Sequence, residues 1–367
     1  MIWTRAVGFG LLVVLLIACA AGCGASRPPA TTPAAVAPAT GGDGRDSALA
    51  GGAPAPAGAA TPAALVTMRY GLNTTTINAA PLWVAKDEGF FARHGIDVEL
   101  LTMPADLLVA SLISGELAMG SLASTPLLNG ALGGADLAFL GSFENLLRFW
   151  LYARPEITSV PELRGKQVAI TSRAGVVKRA TELALERNGM NPEGDVTLVA
   201  TGNLNNSAAA LLAGNVAAAM LAPPVTFLAE DEGMRLLVDT RDYNYPTILG
   251  GVAASRAWVA RNEDLARRAL QAIAEGVAFA SQQKEPTKAI IARYTQNDDP
   301  LLLERSYVTQ QPAWQRTLAV PPEAVRLELE AIAQDNPVAR DARVEQFVDM
   351  RLVDALEREG FFQQLWR

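Results

Sequence analysis

A short polar segment follows the first strand-like run of this sequence. Five hydrogen-bonding side chains fall within six positions of the stretch NTTTIN, and these are Asn73, Thr74, Thr75, Thr76 and Asn78. Side chains of this type recognise small solutes because each of them both donates and accepts hydrogen bonds. The segment therefore predicts a binding loop. The alternative is a solvated turn in which Asn78 caps the helix that follows.

A second polar segment, GSLASTP, follows a later strand-like run. It places Ser121, Ser124 and Thr125 at the start of a helix expected to begin near Pro126. The first N–H groups of a helix have no partner within the helix and are free to donate to a ligand. A ligand contact is one interpretation of these residues, and a simple helix cap is the other.

The second half of the chain offers two comparable loops. In TSRAGVVKRA, Thr171 and Ser172 end a strand and either can cap a helix, while Gly175 lets a ligand approach the backbone. Arg173 would add a forked donor for a sulfonate or carboxylate, unless it points to solvent and the ligand is neutral. In LAPPV, Pro223 is expected to form a rigid pocket wall or, alternatively, to initiate a helix.

The composition argues against catalysis and against nucleic acid. His94 is the only histidine and lies in a predicted turn, so the chain lacks material for a Ser-His-Asp arrangement or a histidine metal site. No glycine-rich phosphate loop follows a strand, and we expect neither a cofactor nor a metal. The acidic stretch EDEG at 230–233 is expected to be a solvated helix end. A net charge of -7 without a basic run excludes a nucleic-acid partner.

The first 23 residues have the regions of an export signal. Arg5 precedes an apolar run at 6–17, and small residues follow. The stretch LIACAAGC resembles the lipobox of bacterial lipoproteins, in which a cysteine is lipidated. Cys23 is the preferred acceptor and Cys19 the alternative, and an ordinary cleaved signal is also open. Residues 24–65 contain hardly any large apolar side chains and predict a disordered tether.

The polar loops require a scaffold that holds them at one edge of a sheet. From residue 66 onward, short apolar strands alternate with helices in two successive sets, which predicts an α/β protein with parallel pairing and two lobes. The predicted boundaries are 66–155 and 250–367 for the first lobe and 156–249 for the second. The chain is expected to cross between lobes near 152–158 and near 245–251.

Six segments in a fixed order give the sequence a family resemblance. They are PLWVAKDEGFFARHGIDVEL, LISGELAMGSLASTP, ITSVPELRGKQVAI, ALERNGMNPEGDVTLV, AALLAGNVAAAMLAPP and YPTILGGVAASRAWVARN. Together they resemble the substrate-binding proteins of ABC importers of the nitrate, sulfonate and taurine type, which share their fold with thiamine-pyrimidine binding and synthesising proteins. The resemblance covers roughly residues 67–300 and implies a type II periplasmic-binding-protein fold with a ligand cleft between the lobes.

The resemblance also implies how such a protein works. It would be a monomer that closes on a small-molecule ligand and presents it to a membrane permease, held outside the cytoplasmic membrane by its lipid anchor. The loop at 171–175 matches the place where the family lines its pocket from the second lobe. A ligand sensor for a signalling receptor and an enzyme on the same fold are the alternatives. The ligand itself is left open.

Overall fold

Two five-stranded sheets form the centre of the molecule. A computed structural model describes residues 64–367, so the predicted signal, both candidate lipidation cysteines and nearly all of the predicted tether lie outside the described residues. The strands are β1 (Val66–Leu72), β2 (Ile96–Thr102), β3 (Met119–Leu122), β4 (Leu137–Ser142), β5 (Trp150–Ala153), β6 (Gln167–Ile170), β7 (Thr197–Ala200), β8 (Ala218–Leu221), β9 (Arg235–Asp239) and β10 (Gly251–Ser255). Each coincides with a strand that the apolar pattern predicts.

Each sheet combines parallel strands with strands of the opposite direction. The first has the order β2-β1-β3-β10-β4 and the second the order β7-β6-β8-β5-β9. β1 pairs in parallel with β2 and β3, and β6 pairs in parallel with β7 and β8. β10 and β5 are antiparallel to both of their neighbours. The predicted parallel pairing is therefore wrong for these two strands. The chain enters each of them directly from the other sheet, without the helical crossover that a parallel neighbour requires.

The chain leaves the first sheet earlier than predicted. β5 pairs with β8 and β9 of the second sheet, so the first crossing lies at 143–149 and not at 152–158. The second lobe accordingly begins before residue 156. The physical reason is that β5 is buried on both faces inside the second sheet, although in sequence it directly continues the first series of strands. The return crossing at 240–250 includes most of the predicted 245–251.

Helices cover both sheets. They are α1 (Ala80–Asp87), α2 (Phe90–Arg93), α3 (Ala105–Ser114), α4 (Ser124–Leu132), α5 (Val176–Arg187), α6 (Leu204–Leu212), α7 (Val225–Asp231), α8 (Arg256–Arg261), α9 (Glu263–Gln282), α10 (Lys284–Thr295), α11 (Pro300–Gln310), α12 (Pro322–Ile332), α13 (Arg351–Arg358) and α14 (Phe361–Leu365). In residues 64–367, no helix is both long and apolar enough to cross a membrane.

The C-terminal third packs on the first lobe, as the sequence predicts. α9 packs against α1, and α12 packs against α4. The core on one face of the first sheet combines β1 residues such as Tyr70 with Trp314 and Phe362, and the half-buried Phe361 and Trp366 pack against it. The second lobe has its own core around β5, β6 and α5. Burial of this apolar surface is the main free-energy term that fixes the loops between the lobes.

Candidate functional site

A cleft between the lobes lies beyond the carboxyl ends of β3 and β6. It has a volume of about 180 Å³ and is bounded by α4 and α12 of the first lobe and by the start of α5 in the second. The structure brings three of the predicted site residues together here, since Thr125, Arg173 and Gly175 all line the cleft. Its other charged lining residues are Lys178, Arg179, Glu182, Glu328 and Asp335.

The wall from the first lobe contains a buried carboxyl group. Glu328 of α12 is only 8% exposed, and the Thr125 hydroxyl donates to its Oε1 at 2.5 Å. Burial raises the pKa of Glu328, while the hydrogen bond from Thr125, the nearby hydroxyl of Ser124 and the charge of Arg179 partly offset that effect. Ser124 and Thr125 lie in the first turn of α4 and do not precede it, because α4 begins two residues before the predicted Pro126.

The wall from the second lobe is the first turn of α5. Gly175 occupies the N-cap position with φ of 97°, a conformation that favours glycine. Neither Thr171 nor Ser172 caps the helix, since no side chain makes a cap hydrogen bond there. Ser172 donates to the carbonyl of Ala174 instead, and Thr171 is held by a backbone hydrogen bond of 2.9 Å from Gly202 N–H to its carbonyl.

Basic side chains on α5 are already matched by acidic ones. Lys178 pairs with Glu182, and Arg179 Nη1 lies 3.3 Å from Glu186 Oε1 and 3.7 Å from Glu182 Oε2. Arg173 is exposed at the cleft and makes no ion pair with another residue of the range 64–367. The contact of Arg173 with an anionic ligand stays a prediction.

A second cavity lies on the other side of the first binding loop. It has a volume of about 250 Å³, and it places Thr75 and Thr76 opposite Asn205 and Pro224 of the second lobe, with α10 and α11 closing the side. The predicted Pro223 is buried next to Pro224, to which it is joined by a cis peptide bond. Thr75 and Pro224 therefore border a different space from Thr125 and Arg173, and Pro223 lines neither cavity.

The remaining predicted residues of the first loop hold the loop together. Thr74 Oγ1 lies 2.9 Å from Thr76 Oγ1, and Thr76 Oγ1 donates to Asn78 Oδ1 at 2.9 Å. Asn78 does not cap α1, because its amide donates to Glu144 Oε2 at 2.9 Å. These bonds give the loop one conformation.

Two predicted residues at the ends of β1 and β3 are also engaged within the first lobe. The Ser121 hydroxyl lies 2.6 Å from the Tyr70 hydroxyl in the core, and Asn73 N–H donates to the Ser121 carbonyl at 3.3 Å. Neither Asn73 nor Ser121 is among the residues that line the two cavities described above.

Glu144 links this loop to the first crossing between the lobes. The side chain is fully buried, and burial raises its pKa, while the nearby amide of Gln310, the hydrogen bond from Asn78 and the charge of Arg148 lower it. Its Oε1, together with Nε2 of Gln310, has no hydrogen-bond partner among residues 64–367. The crossing therefore carries a polar centre in contact with both the binding loop and α11.

The lobes are also joined by an ion pair on the surface. Arg305 of α11 pairs with Glu230 and Asp231 at the end of α7, and its Nη1 lies 3.1 Å from Asp231 Oδ1. Its guanidinium carbon lies 4.3 Å from the ring centroid of Phe227. The acidic stretch 230–233 is thus exposed, as the sequence predicts, but two of its carboxylates face a cation of the other lobe.

Sequence reasoning missed that Glu328, Lys178 and Arg179 line the cleft and that Glu144 contacts Asn78. The first of these lies in an amphipathic helix in which the sequence shows no chemistry, about 200 residues from Thr125 along the chain. A glutamate in a helix is ordinarily solvated, so no local signal separates it from its neighbours. The turn residue His94 also has an unpredicted partner, since its Nε2 lies 3.0 Å from Glu275 Oε1.

Comparison with known proteins establishes the family. The chain matches the NMT1/THI5-like family over residues 76–289, more than half of its length, and belongs to that family. It is 28% identical over 284 residues to the riboflavin-binding protein RibY of Chloroflexus aurantiacus, covering 75% of this chain and 73% of RibY. The resemblance stated from the sequence motifs is confirmed.

Solved structures confirm the fold. The periplasmic sulfonate-binding protein SsuA of Methylobacillus flagellatus superposes with a TM-score of 0.67 at 19% identity, covering 83% of this chain and 97% of that one. The periplasmic nitrate-binding protein NrtA of Synechocystis gives a TM-score of 0.64 at 16% identity, covering 83% and 91%. The protein thus has the predicted two-lobed α/β fold of periplasmic binding proteins.

Proposed function

We propose that this protein is a monomeric, extracytoplasmic solute-binding protein that captures a small organic or anionic ligand by lobe closure and delivers it unchanged to an ABC permease. The observation that carries the proposal is the cleft whose walls come from different lobes, with Thr125 and Glu328 on one side and Arg173 and Gly175 on the other. A ligand that contacts both walls favours the state in which they are close. The names of RibY, SsuA and NrtA, which are all binding proteins, support the same function.

Within this proposal, the twelve residues predicted from the sequence have different roles. Thr125, Arg173 and Gly175 would contact the ligand directly, since they line the cleft. Thr75 would shape the second cavity directly, and Pro223 would support it as the buried neighbour of the lining residue Pro224. The others would act by holding the loops in place: Asn73, Thr74, Asn78, Ser121, Ser124, Thr171 and Ser172.

Saturating ligand should both stabilise and contract the protein. A thermal-shift screen of sulfonates, nitrate, pyrimidines and flavins finds the ligand, because a compound that binds only the folded state raises the melting temperature, by an amount equivalent to about 2.7 kcal/mol at one hundred times the dissociation constant. X-ray scattering of the saturated protein should then give a smaller radius of gyration than the ligand-free protein. Two identical scattering curves at saturation would contradict closure, and chemical turnover of the ligand would indicate an enzyme.

We further propose that a lipid on Cys23, or on Cys19, anchors the protein to the membrane through the residues 24–65. The proposal rests on Arg5, the apolar run and the LIACAAGC stretch occurring together. The double variant Cys19→Ser, Cys23→Ser should move the protein from the membrane fraction to the soluble fraction, and mass spectrometry of the single variants should show which cysteine carries the acyl chains. A double variant that still sediments with membranes would refute the lipid anchor.

A further inference from the structure

The carboxyl group of Glu328 occupies an unusual environment for a glutamate. It is nine-tenths buried, lines the cleft between the lobes, and is fixed by the Thr125 hydroxyl through its Oε1. The adjacent Ser124 is fully buried, and its hydroxyl has no hydrogen-bond partner among residues 64–367. Buried carboxyl groups cost stability unless they are fully hydrogen-bonded.

Protein cations do not satisfy this carboxyl. Glu328 forms no ion pair with the described residues, although Arg179 of the opposite wall is near enough to lower its pKa. Arg179 is engaged with Glu182 and Glu186, and Lys178 is engaged with Glu182. Among residues 64–367, Thr125 makes the one hydrogen bond to Glu328, through Oε1, so the second carboxyl oxygen can accept from a solute or from water in the cleft.

Resting on the proposed function, we propose that Glu328 is a solute-recognition residue whose carboxyl accepts a hydrogen bond from an N–H or O–H group of an uncharged solute. A cyclic imide or a polyol supplies such donors. A sulfonate or nitrate has only acceptors and would face the carboxyl oxygen with like charge. A ligand without a donor would leave the buried carboxyl of Glu328 unpaired and would therefore bind weakly. Polar sites achieve selectivity in this way.

The variant Glu328→Gln tests this assignment with little change of shape. Its amide can accept from Thr125 through oxygen, but it then presents N–H groups to the donor of the solute. Glu330→Gln is the matched control, because Glu330 lies two residues away on the same helix and pairs on the exposed face with Arg326. Titration calorimetry at neutral pH with riboflavin and uracil as uncharged donors, and methanesulfonate and nitrate as anions, measures all three proteins.

We expect the wild type to bind an uncharged donor, Glu328→Gln to bind it at least about tenfold more weakly, and Glu330→Gln to match the wild type. Because burial raises the pKa of Glu328, removing its charge should leave the melting temperature equal or higher, which separates lost recognition from lost folding. If Glu328→Gln melts at a lower temperature than the wild type, Glu328→Asp replaces it in the test. This variant keeps the carboxyl group but withdraws it from the cleft, and we expect it to bind the uncharged donor at least about tenfold more weakly.

The outcomes separate this inference from the function on which it rests. Binding of an uncharged donor that Glu328→Gln preserves within threefold overturns the role of Glu328 and leaves solute binding intact. Binding of methanesulfonate or nitrate, with no binding of riboflavin or uracil, also overturns the role of Glu328 and leaves solute binding intact. A wild-type protein that binds none of the four probes counts against both the recognition role and the proposed function.

Discussion

Replacing Gly276 with valine should lower the free energy of unfolding by about 3 kcal/mol, at the upper end of the cost of overpacking a core. Gly276 lies in α9 where that helix crosses α1. A Cβ atom at this position would lie 2.3 Å from the carbonyl oxygen of Pro81 and 2.8 Å from the Cβ of Ala85. The oxygen belongs to the backbone, so the clash is relieved only by moving α1, which directly follows the first binding loop.

The smaller substitution Gly276→Ala tests the same contact through the sign of its effect on stability. Alanine is the better helix former by about 1 kcal/mol, so Gly276→Ala would stabilise an unpacked helix, whereas here it should destabilise the protein. Gln271→Val, at a half-exposed position of the same helix, controls for the helix propensity of valine. Chemical denaturation of the four proteins measures the effect. A stable Gly276→Ala protein would show that α1 and α9 are less closely packed than described.

Reversing the charge of Arg305 should weaken solute binding by about tenfold without any contact between this residue and the solute. Arg305 joins α11 of the first lobe to Glu230 and Asp231 of the second, so Arg305→Glu replaces attraction by repulsion between the two lobes. Partly exposed pairs contribute about 0.2–1 kcal/mol each, and reversal adds a repulsive term of similar size. A free-energy cost of closure lowers the population of the closed protein, and the apparent affinity for the solute falls by the same factor as that population.

A matched arginine isolates the contribution of closure. Arg267 pairs with Glu359 within the first lobe, and its side chain is 31% exposed against 27% for Arg305. Arg267→Glu should leave solute affinity unchanged, while adding Asp231→Arg to Arg305→Glu should restore part of it. Calorimetry and the radius of gyration at saturation measure both effects. Equal affinities of Arg305→Glu and wild type would show that this ion pair does not contribute to closure.

Local sequence patterns were sufficient to predict most secondary elements. All ten strands lie where apolar runs occur. The runs are continuous in β3, β4, β5 and β8, because these strands are buried on both faces. Gly89 and Gly95 both have φ of 72°, a left-handed conformation that glycine adopts readily where a helix ends. The crossing at 143–149 was misplaced because β5 is equally apolar in either sheet, and only strand pairing assigns it.

The sequence by itself determined the two-lobed α/β class and the loops that border the cleft, since both depend on patterns only a few residues long. Thr125, Arg173 and Gly175 were found in this way. Only the tertiary structure decided that Glu328 stands beside Thr125 and that Arg305 meets Asp231. These partners are far apart in the chain and come together because α12 and α11 pack on the first lobe, and no local pattern encodes which face of a packed helix meets a distant loop.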